Sequence, residues 1–263
     1  KADEGWYWEK GECVSRDALP FEAMQEQWDG LVNVLEKENV EVVYMEDVTG
    51  GRYSHYTRDS GIAILGGAIV CRLAPDARRG EERWATRTLA NLGMPIIRTI
   101  TGSGLMEGGS FSWLNADTAI IGRSNCVNEE GSAQVEEVLN RQGVEVLRVD
   151  LSMYEIHLDG VFGMLDKDLA IIDVDRVPFS FLEELKLRNI NLIPVGKGDD
   201  RWIVNCIAIS PGKILTAEGM SDETRKTFDE FGVEIVTIPF DKVQINGGGI
   251  RCSTCPLIRD SIY

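Results

Sequence analysis

Two cysteines near the end of the chain stand in a setting that suggests chemistry. Cys252 and Cys255 lie three residues apart, directly after the three consecutive glycines 247–249. A CxxC pair can be a redox pair, half of a zinc site, or one catalytic thiol beside an inert cysteine. Glycines weaken a strand that needs only to be buried, but they allow a ligand to approach the backbone and its amides closely. The pattern therefore favours a catalytic thiol at Cys252, with Gly248 and Gly249 against the substrate.

The other two interpretations of the CxxC pair have less support. The 263 residues contain only two histidines, His55 and His157, and neither is close in sequence to the cysteine pair. A structural zinc site needs four ligands, so the sequence disfavours a structural zinc site at this pair. Cys255 is followed at once by Pro256, whereas a redox CxxC normally opens a helix near its free amides. We interpret Cys255 as a packing residue.

His157 is the second candidate for chemistry. Its imidazole changes charge near neutral pH, which suits a general acid and base, although a hydrogen-bonded structural histidine is the alternative. Asp59, Glu107 and Asp159 occupy equivalent places in successive repeats of the chain, and each taken alone is typical of a solvated turn. Together, such carboxylates disfavour a thiolate unless a cation offsets them. A guanidinium fits, because carboxylates grip its forked N–H groups and hold its planar carbon against the sulfur.

The elements that must position these residues repeat along the chain. Amphipathic periodicity and capping signals predict five helices, at 21–39, 79–92, 131–142, 179–188 and 221–231. Each precedes a short predicted strand, and these strands lie at 39–45, 93–100, 143–149, 189–195 and 232–238. A Gly or Asn at each junction is typical of a left-handed C-cap.

A hairpin pattern lies between successive units of helix and strand. The predicted hairpins span 61–71, 111–122, 162–174 and 206–219, with turn residues such as Gly-Gly and Pro-Gly at their centres. The resulting unit of hairpin, helix and strand occurs five times, and stacked repeats bury each unit's apolar face against the next. We therefore expect a closed α/β ring of five units in one domain, 1–263. The fifth unit lacks a strand, and residues 1–12 are the candidate to close it.

Composition limits the partners and the location of the protein. The formal charge is −16, which argues against nucleic acid, because phosphate binding relies on clustered Lys and Arg. The sequence has no apolar run long enough for a membrane helix, and it does not begin with a secretory pattern. We expect a cytoplasmic protein with a small cationic partner and no membrane contact, and a homo-oligomer stays open.

Several of these segments match a known superfamily. The chain resembles the guanidino-group-modifying enzymes, which include arginine deiminases, dimethylarginine dimethylaminohydrolases and amidinotransferases, in YTRD (56–59), MEGGS (106–110), HLDGVFGMLDKD (157–168) and GGGIRCSTCPL (247–257). The resemblance implies the pentein fold, a five-bladed α/β propeller, and a reaction that requires no metal and no organic cofactor. It makes Cys252 the nucleophile and His157 the acid and base. Glu107, Asp59 and Asp159 become the carboxylates that bind guanidinium and orient the histidine, and a covalent thiouronium is the intermediate.

The match leaves the substrate and the reaction open. Where many members carry an arginine that binds the α-carboxylate of the substrate, this chain has Cys126, in SNCVNEEG (124–131). Arg78 or Arg79 could supply such a clamp, and an exposed helix start is the alternative. A hydrolase acting on arginine or a derivative is favoured. An amidinotransferase with the same residues and a non-catalytic binding protein on the same ring are the competing hypotheses.

Overall fold

The computed structural model describes residues 6–9, 12–15, 20–45, 53–152 and 155–259. Its α-helices lie close to the predicted positions, and a single extra turn follows the last of them. They are α1 (Phe21–Lys37), α2 (Glu82–Asn91), α3 (Glu129–Arg141), α4 (Phe179–Leu187), α5 (Asp222–Glu230) and α6 (Asp241–Gln244).

The strands among the described residues build a small hairpin and four three-stranded sheets. The hairpin pairs β1 (Trp6–Glu9) with β2 (Glu12–Ser15). Within each sheet two strands form an antiparallel hairpin, and the third strand arrives after a helix and pairs parallel to the second. The sheets are β3 (Gly61–Ile64), β4 (Gly67–Val70) and β5 (Ile96–Thr99); β6 (Phe111–Asn115), β7 (Thr118–Arg123) and β8 (Glu145–Asp150); β9 (Phe162–Asp166), β10 (Leu169–Ile172) and β11 (Asn191–Pro194); and β12 (Ile207–Ser210), β13 (Lys213–Ala217) and β14 (Glu234–Ile238).

The junction residues end the helices as predicted. All five have positive φ, which releases the chain from the helix and turns it into the strand. They are Asn39 (61°), Gly93 (71°), Gly143 (79°), Asn189 (57°) and Gly232 (69°).

The hydrophobic core is divided among the boundaries between neighbouring units. Ile62 and Ile69 of the first sheet share a cluster with Phe111 of the second sheet. Further clusters join the second sheet to the third and the third to the fourth. The last one packs the fourth sheet against α1 and the turn that contains Cys252. Because each unit buries its apolar face on the next, the repeats hold one another in place.

The fifth unit differs from the prediction. Residues 40–45 form no strand, so the expected strand at 39–45 is wrong. A strand needs a neighbouring ladder, and the described part of the chain offers these residues no hairpin to pair with. Residues 6–9 pair with 12–15 rather than with the fifth unit, and the rest of the proposed closing segment, 1–5 and 10–11, lies outside the described residues.

Helix length bears on the membrane question. In the part of the chain that the structure describes, no helix is both long enough and apolar enough to cross a bilayer. The longest, α1, has 17 residues and buries Leu31 and Leu35 on one face.

The division of the core gives a matched test on α4. Leu185 is fully buried between the second and third sheets, whereas Leu187 is 77% exposed. We expect Leu185→Ala to lower the free energy of unfolding by about 2 to 5 kcal/mol, because it leaves a cavity. Leu187→Ala should change it by less than about 0.5 kcal/mol. Urea unfolding of both variants checks this, and equal losses would contradict the packing described here.

Candidate active site

Short turns at the starts of the hairpins carry the polar side chains of the site. In the first four units these are 3₁₀ turns, at Thr57–Ser60, Gly108–Ser110, Leu158–Gly160 and Arg201–Ile203. In the fifth unit a turn at 250–253 takes this place. The first and second turns contact each other, as do the second and third. The repeat therefore brings together residues that lie far apart in sequence.

Cys252 lies in a polar cradle that is closed to solvent. Its sulfur is 3.5 Å from Asp159 Oδ2 and accepts a hydrogen bond from Asn205 Nδ2 at 3.2 Å. Asn205 Oδ1 accepts from the Cys252 backbone N–H, and its Nδ2 also donates to the Asp159 carbonyl. Asn205 thus fixes the cysteine and the loop of Asp159 with one side chain. All three residues are at most 5% exposed.

His157 is held between two carboxylates from other units. Its Nε2 lies 2.6 Å from Glu107 Oε2, and its Nδ1 lies 3.6 Å from Asp59 Oδ1. A Cβ on Gly109 would stand 2.7 Å from Asp59 Oδ1 and 2.8 Å from His157 Nδ1. Only glycine therefore allows the second turn to come this close to the imidazole and the carboxylate.

Arg78 adds a buried positive charge to this cluster. Its guanidinium bonds Asp59 Oδ2 at 2.6 Å and Glu81 Oε2 at 2.9 Å, and its Nη2 donates to the Tyr56 carbonyl. Although burial opposes it, the pKa of Asp59 is lowered, because His157 and Arg78 both stabilise the carboxylate. Arg79 points away, is about half exposed and pairs with Asp76. Of the two predicted clamp arginines, the structure brings only Arg78 into the cluster.

The pKa values of His157 and Cys252 are both raised, so that both groups hold their protons. Burial alone would lower the pKa of His157, but Asp59, Cys126 and Glu107 raise it well above the ordinary value. Burial, followed by the charges of Asp159 and Asp59, raises the pKa of the Cys252 thiol well above its usual range. At rest the site therefore favours an imidazolium and a neutral thiol.

The glycines that precede the CxxC pair lie against other groups of the protein. A Cβ on Gly248 would come within 2.6 Å of the Tyr56 ring, and one on Gly249 within 2.5 Å of Asn205 Oδ1. Gly247 has a φ of 93°. The direct substrate contact expected for Gly248 and Gly249 stays a prediction. The contacts observed here give these glycines a structural task, which is to let the cysteine loop pack on the side chains that orient it.

Three residues around the site were not assigned to it from the sequence. Asn205 and Glu81 carry common polar side chains with no local motif, so only their position reveals them. Cys126 was interpreted only as the loss of an arginine, yet its sulfur, a Glu107 oxygen and a His157 ring nitrogen lie within 4.8 Å of one another. These three are the described residues that could bind a metal ion.

Comparison with known proteins agrees with the geometry. A family model described as N,N dimethylarginine dimethylhydrolase, eukaryotic, matches residues 10–259. The arginine deiminase of Latilactobacillus sakei subsp. sakei (strain 23K) is 23% identical over 257 residues, which cover 79% of this chain and 62% of the deiminase. The chain thus spans less than two thirds of that relative's length.

Solved structures show the same fold. DDAH from Pseudomonas aeruginosa, a mutant complexed with citrulline, superposes with a TM-score of 0.78 at 20% identity, covering 89% of this chain and 88% of that one. The N-terminal domain of ArgZ, an arginine dihydrolase in cyanobacteria, was solved covalently bound to a reaction intermediate. It gives a TM-score of 0.80 at 17% identity, with 89% and 86% covered. These likenesses confirm the predicted pentein fold.

The contact between Cys252 and Asp159 predicts how the thiol reacts. Because the pKa of Cys252 is raised, its alkylation by iodoacetamide should stay slow at pH 8 and increase only above the range of an ordinary thiol. Asp159→Asn removes one nearby negative charge, so we expect alkylation at pH 8 to become at least about tenfold faster. Mass spectrometry of the labelled peptide follows the rate.

Two controls belong to this measurement. Cys255, whose sulfur donates toward the Gly61 carbonyl, should react at an unchanged rate in the Asp159→Asn protein. Asp168→Asn alters an exposed carboxylate of the same repeat and should leave Cys252 unaffected. If Asp159→Asn left the rate at Cys252 unchanged, the proposed charge effect would be wrong.

The contact between Gly248 and Tyr56 predicts a loss of stability. From the sequence we expected Gly248→Val to impair turnover more than folding. The structure changes this expectation, because the new side chain would overlap a Tyr56 ring that is 4% exposed. We expect a decrease of roughly 1 to 3 kcal/mol or more in the free energy of unfolding. Gly30→Ala, where nothing lies within 4 Å, is the control and should not destabilise. A fully stable Gly248→Val protein would contradict this packing.

The site and the comparisons lead to the same assignment. A buried cysteine, a histidine between two carboxylates and a third carboxylate at the sulfur occupy corresponding turns of a repeated α/β ring. The family model covers nearly the whole chain. The chain belongs to the N,N dimethylarginine dimethylhydrolase family, and with it to the cysteine-dependent amidine hydrolases among the guanidino-group-modifying enzymes of pentein fold.

Proposed function

We propose that this chain hydrolyses a C–N bond of arginine or an arginine derivative through a covalent Cys252 intermediate. The observation that carries the proposal is a buried thiol beside Asp159, with its pKa raised by burial and by negative charge. Such a thiol becomes a nucleophile when a cation binds next to it and stabilises the thiolate. A guanidinium supplies this charge and also the electrophilic carbon.

We assign the binding of the substrate guanidinium to the carboxylates. Asp159 lies at the sulfur, and Asp59 lies beside the histidine while one of its oxygens is held by Arg78. Carboxylates on different turns can grip the N–H groups of a planar guanidinium and hold its carbon in line with the sulfur. Glu107 fixes the imidazole through Nε2.

The first half of the reaction forms the covalent intermediate. When the guanidinium binds, the Cys252 thiol releases its proton to solvent; the resulting thiolate attacks the guanidinium carbon, and a C–S bond forms. His157, which holds its proton at rest, donates it to the departing nitrogen as the C–N bond breaks. Ammonia or an amine leaves, and a thiouronium remains on Cys252.

The second half releases the product. The now neutral His157 takes a proton from water, and the resulting hydroxide attacks the thiouronium carbon. The C–S bond breaks and the hydroxyl proton passes to the departing sulfur, so a ureido product leaves and the Cys252 thiol is regenerated. Asn205, which donates to the sulfur at 3.2 Å, supports the thiolate as the leaving group.

Two related structures support these steps. The Pseudomonas aeruginosa protein was solved with citrulline, which is a ureido compound, and the ArgZ domain was solved with a covalently bound intermediate. An amidinotransferase would use the same residues and pass the amidino group to a second amine. We further propose that residues 1–263 form one catalytic domain. The cytoplasmic location stays a prediction.

A substrate panel tests the proposal. The protein is incubated with arginine, methylated arginines, agmatine and guanidinoacetate, and both ureido product and released ammonia or amine are measured. We expect one class of substrate to give equal amounts of the two. Cys252→Ser should reduce turnover by at least about 10³-fold, because it removes the nucleophile. Intact-mass measurement of wild-type protein quenched during turnover should show an adduct on Cys252.

Cys255→Ser is the matched control, because it changes a neighbouring thiol whose sulfur donates toward the Gly61 carbonyl. It should retain activity. Release of ureido product by the Cys252→Ser protein would rule out the covalent mechanism. Amine-dependent formation of a new guanidino compound in place of ureido product would show a transferase.

A further inference from the structure

We propose that Ser124 is a positioning residue for His157, because its hydroxyl holds the backbone carbonyl that precedes the histidine. Ser124 Oγ donates a hydrogen bond to the Ile156 carbonyl at 2.6 Å. The imidazole of His157 in turn lies 2.6 Å from Glu107 through Nε2. The effect of Ser124 on turnover rests on the proposed function, whereas its effect on the geometry of the histidine does not.

The Ile156 carbonyl takes its hydrogen bonds from side chains. No backbone N–H among the described residues donates to it, whereas the hydroxyls of Ser124 and Ser110 do, at 2.6 and 3.4 Å. A good O–H···O bond is about 2.7 to 2.8 Å long, so Ser124 supplies the strong bond and Ser110 a weak one. A segment outside a sheet depends on such side-chain bonds to fix its peptide groups.

The Ser124 hydroxyl directs its proton at this carbonyl. Its oxygen already accepts from the backbone N–H of Cys126 at 3.1 Å, and a hydroxyl has one proton to donate. The backbone of Ser124 is fixed as well, since its N–H and carbonyl exchange hydrogen bonds with those of Val127 at 3.1 and 3.3 Å. The turn at 124–127 therefore holds the hydroxyl in place independently of the histidine.

The peptide groups on both sides of His157 are held. The carbonyl before it is bonded by Ser124, and its own carbonyl accepts from the Gly160 N–H at 3.4 Å. Its backbone is extended, with φ of −134° and ψ of 149°. With both peptide groups fixed, only the two side-chain torsions remain to place the imidazole. Loss of the first bond would let the ring drift from Glu107, and small displacements of a catalytic group are costly.

The residue before this carbonyl is anchored to the third unit of the ring. Glu155 is 6% exposed, and Arg176 binds both of its carboxylate oxygens, with Nε 2.7 Å from Oε1. Residues 155–157 thus lie between serines of the second unit and an arginine of the third. Because the Arg176 contact remains when Ser124 is changed, we expect the segment to shift rather than to detach.

Histidine NMR tests the inference without substrate. The chain has only two histidines. The pKa of His157 is raised well above its ordinary value, whereas burial and Arg78 lower the pKa of His55 to about 4, so the two ¹⁵N-labelled imidazoles titrate in separate ranges. In Ser124→Ala, His157 should lose its proton at a pH lower by about 0.5 or more, because a looser contact with Glu107 stabilises the imidazolium less.

Two further variants at the same position isolate the hydroxyl. Ser124→Thr keeps the donor and should titrate like wild type. Ser124→Cys fills the same space with a weaker donor, so it should move the titration of His157 in the same direction as Ser124→Ala and by a smaller amount. The test therefore does not depend on the folding of the alanine variant.

A second measurement observes the hydrogen bond itself. Ile156 and His157 form the only Ile-His pair of the chain, so ¹³C-carbonyl isoleucine combined with ¹⁵N histidine gives a single peptide resonance. Ser124→Ala should move this carbonyl signal upfield, because a hydrogen bond deshields the carbon, and Ser110→Ala should move it less. Ser103→Ala is the control, because it removes an exposed hydroxyl that bonds Glu130, and it should leave both NMR measurements unchanged.

Turnover should follow the same order if the proposed function holds. We expect Ser124→Ala to lower kcat about 3- to 10-fold, with KM within about twofold of wild type. The alkaline limb of the pH profile should move to lower pH, since His157 must hold its proton when the amine departs. Ser124→Thr should restore both.

Several outcomes would overturn the inference. They are a titration of His157 that is the same in wild type, Ser124→Ala and Ser124→Cys, an equal shift in Ser103→Ala, and a shift in Ser124→Thr as large as that in Ser124→Ala. A Ser124→Ala protein that loses stability yet titrates like wild type would assign the serine a purely structural role. Because the NMR measurements use no substrate, absence of turnover in the substrate panel would contradict the proposed function and leave this inference intact.

Discussion

The placement of His157 between Glu107 and Asp59 is the interaction on which the rest of the site depends. It joins turns from three units of the ring, at 2.6 Å on one nitrogen and 3.6 Å on the other. Buried carboxylates are costly unless they are paired, so the imidazolium stabilises them as much as they stabilise it. Arg78 extends the same network to Glu81. Charge balance, rather than any single contact, thus holds the three turns together in a protein that is strongly acidic overall.

The balance of charge also governs the Cys252 thiol, which lies beside a carboxylate and not beside the imidazole. Cys252 faces Asp159 and Asn205. Beyond the effect of burial, the charge of Asp159 raises the pKa of the thiol, whereas the hydrogen bond from Asn205 lowers it. A resting enzyme with a neutral thiol is less prone to oxidation or indiscriminate alkylation than one with a thiolate. In the proposed mechanism, a cationic ligand is both the substrate and the group that activates the nucleophile, so specificity and reactivity are coupled through electrostatics.

Part of this arrangement was visible in the sequence, because local rules govern it. Helix periodicity and the left-handed residues at the junctions, such as Asn39 and Gly143, located the helices and most strands to within a few residues. The HLDG and GGGIRC segments carry unusual residue types in register, which made His157, Asp159 and Cys252 candidates for chemistry. The strand expected at 39–45 failed, since strand formation depends on a partner ladder that no local pattern reports. Asn205 and Cys126 were not assigned to the site for a similar reason, because no spacing rule assigns an Asn to a distant cysteine or a Cys to a distant histidine.

The sequence by itself thus determined the repeat, the secondary structure of its units and the residue types available for chemistry, because these follow from short-range periodicity and from side-chain chemistry. Only the tertiary structure decided which of these residues meet. Of two adjacent arginines, Arg78 turns inward to Asp59 and Arg79 turns to solvent. The glycines before Cys252 lie against Tyr56 and Asn205. Such contacts join residues separated by 19 to 192 positions, and they are fixed by the closure of the ring and the pairing of buried charge, which no local segment of sequence contains.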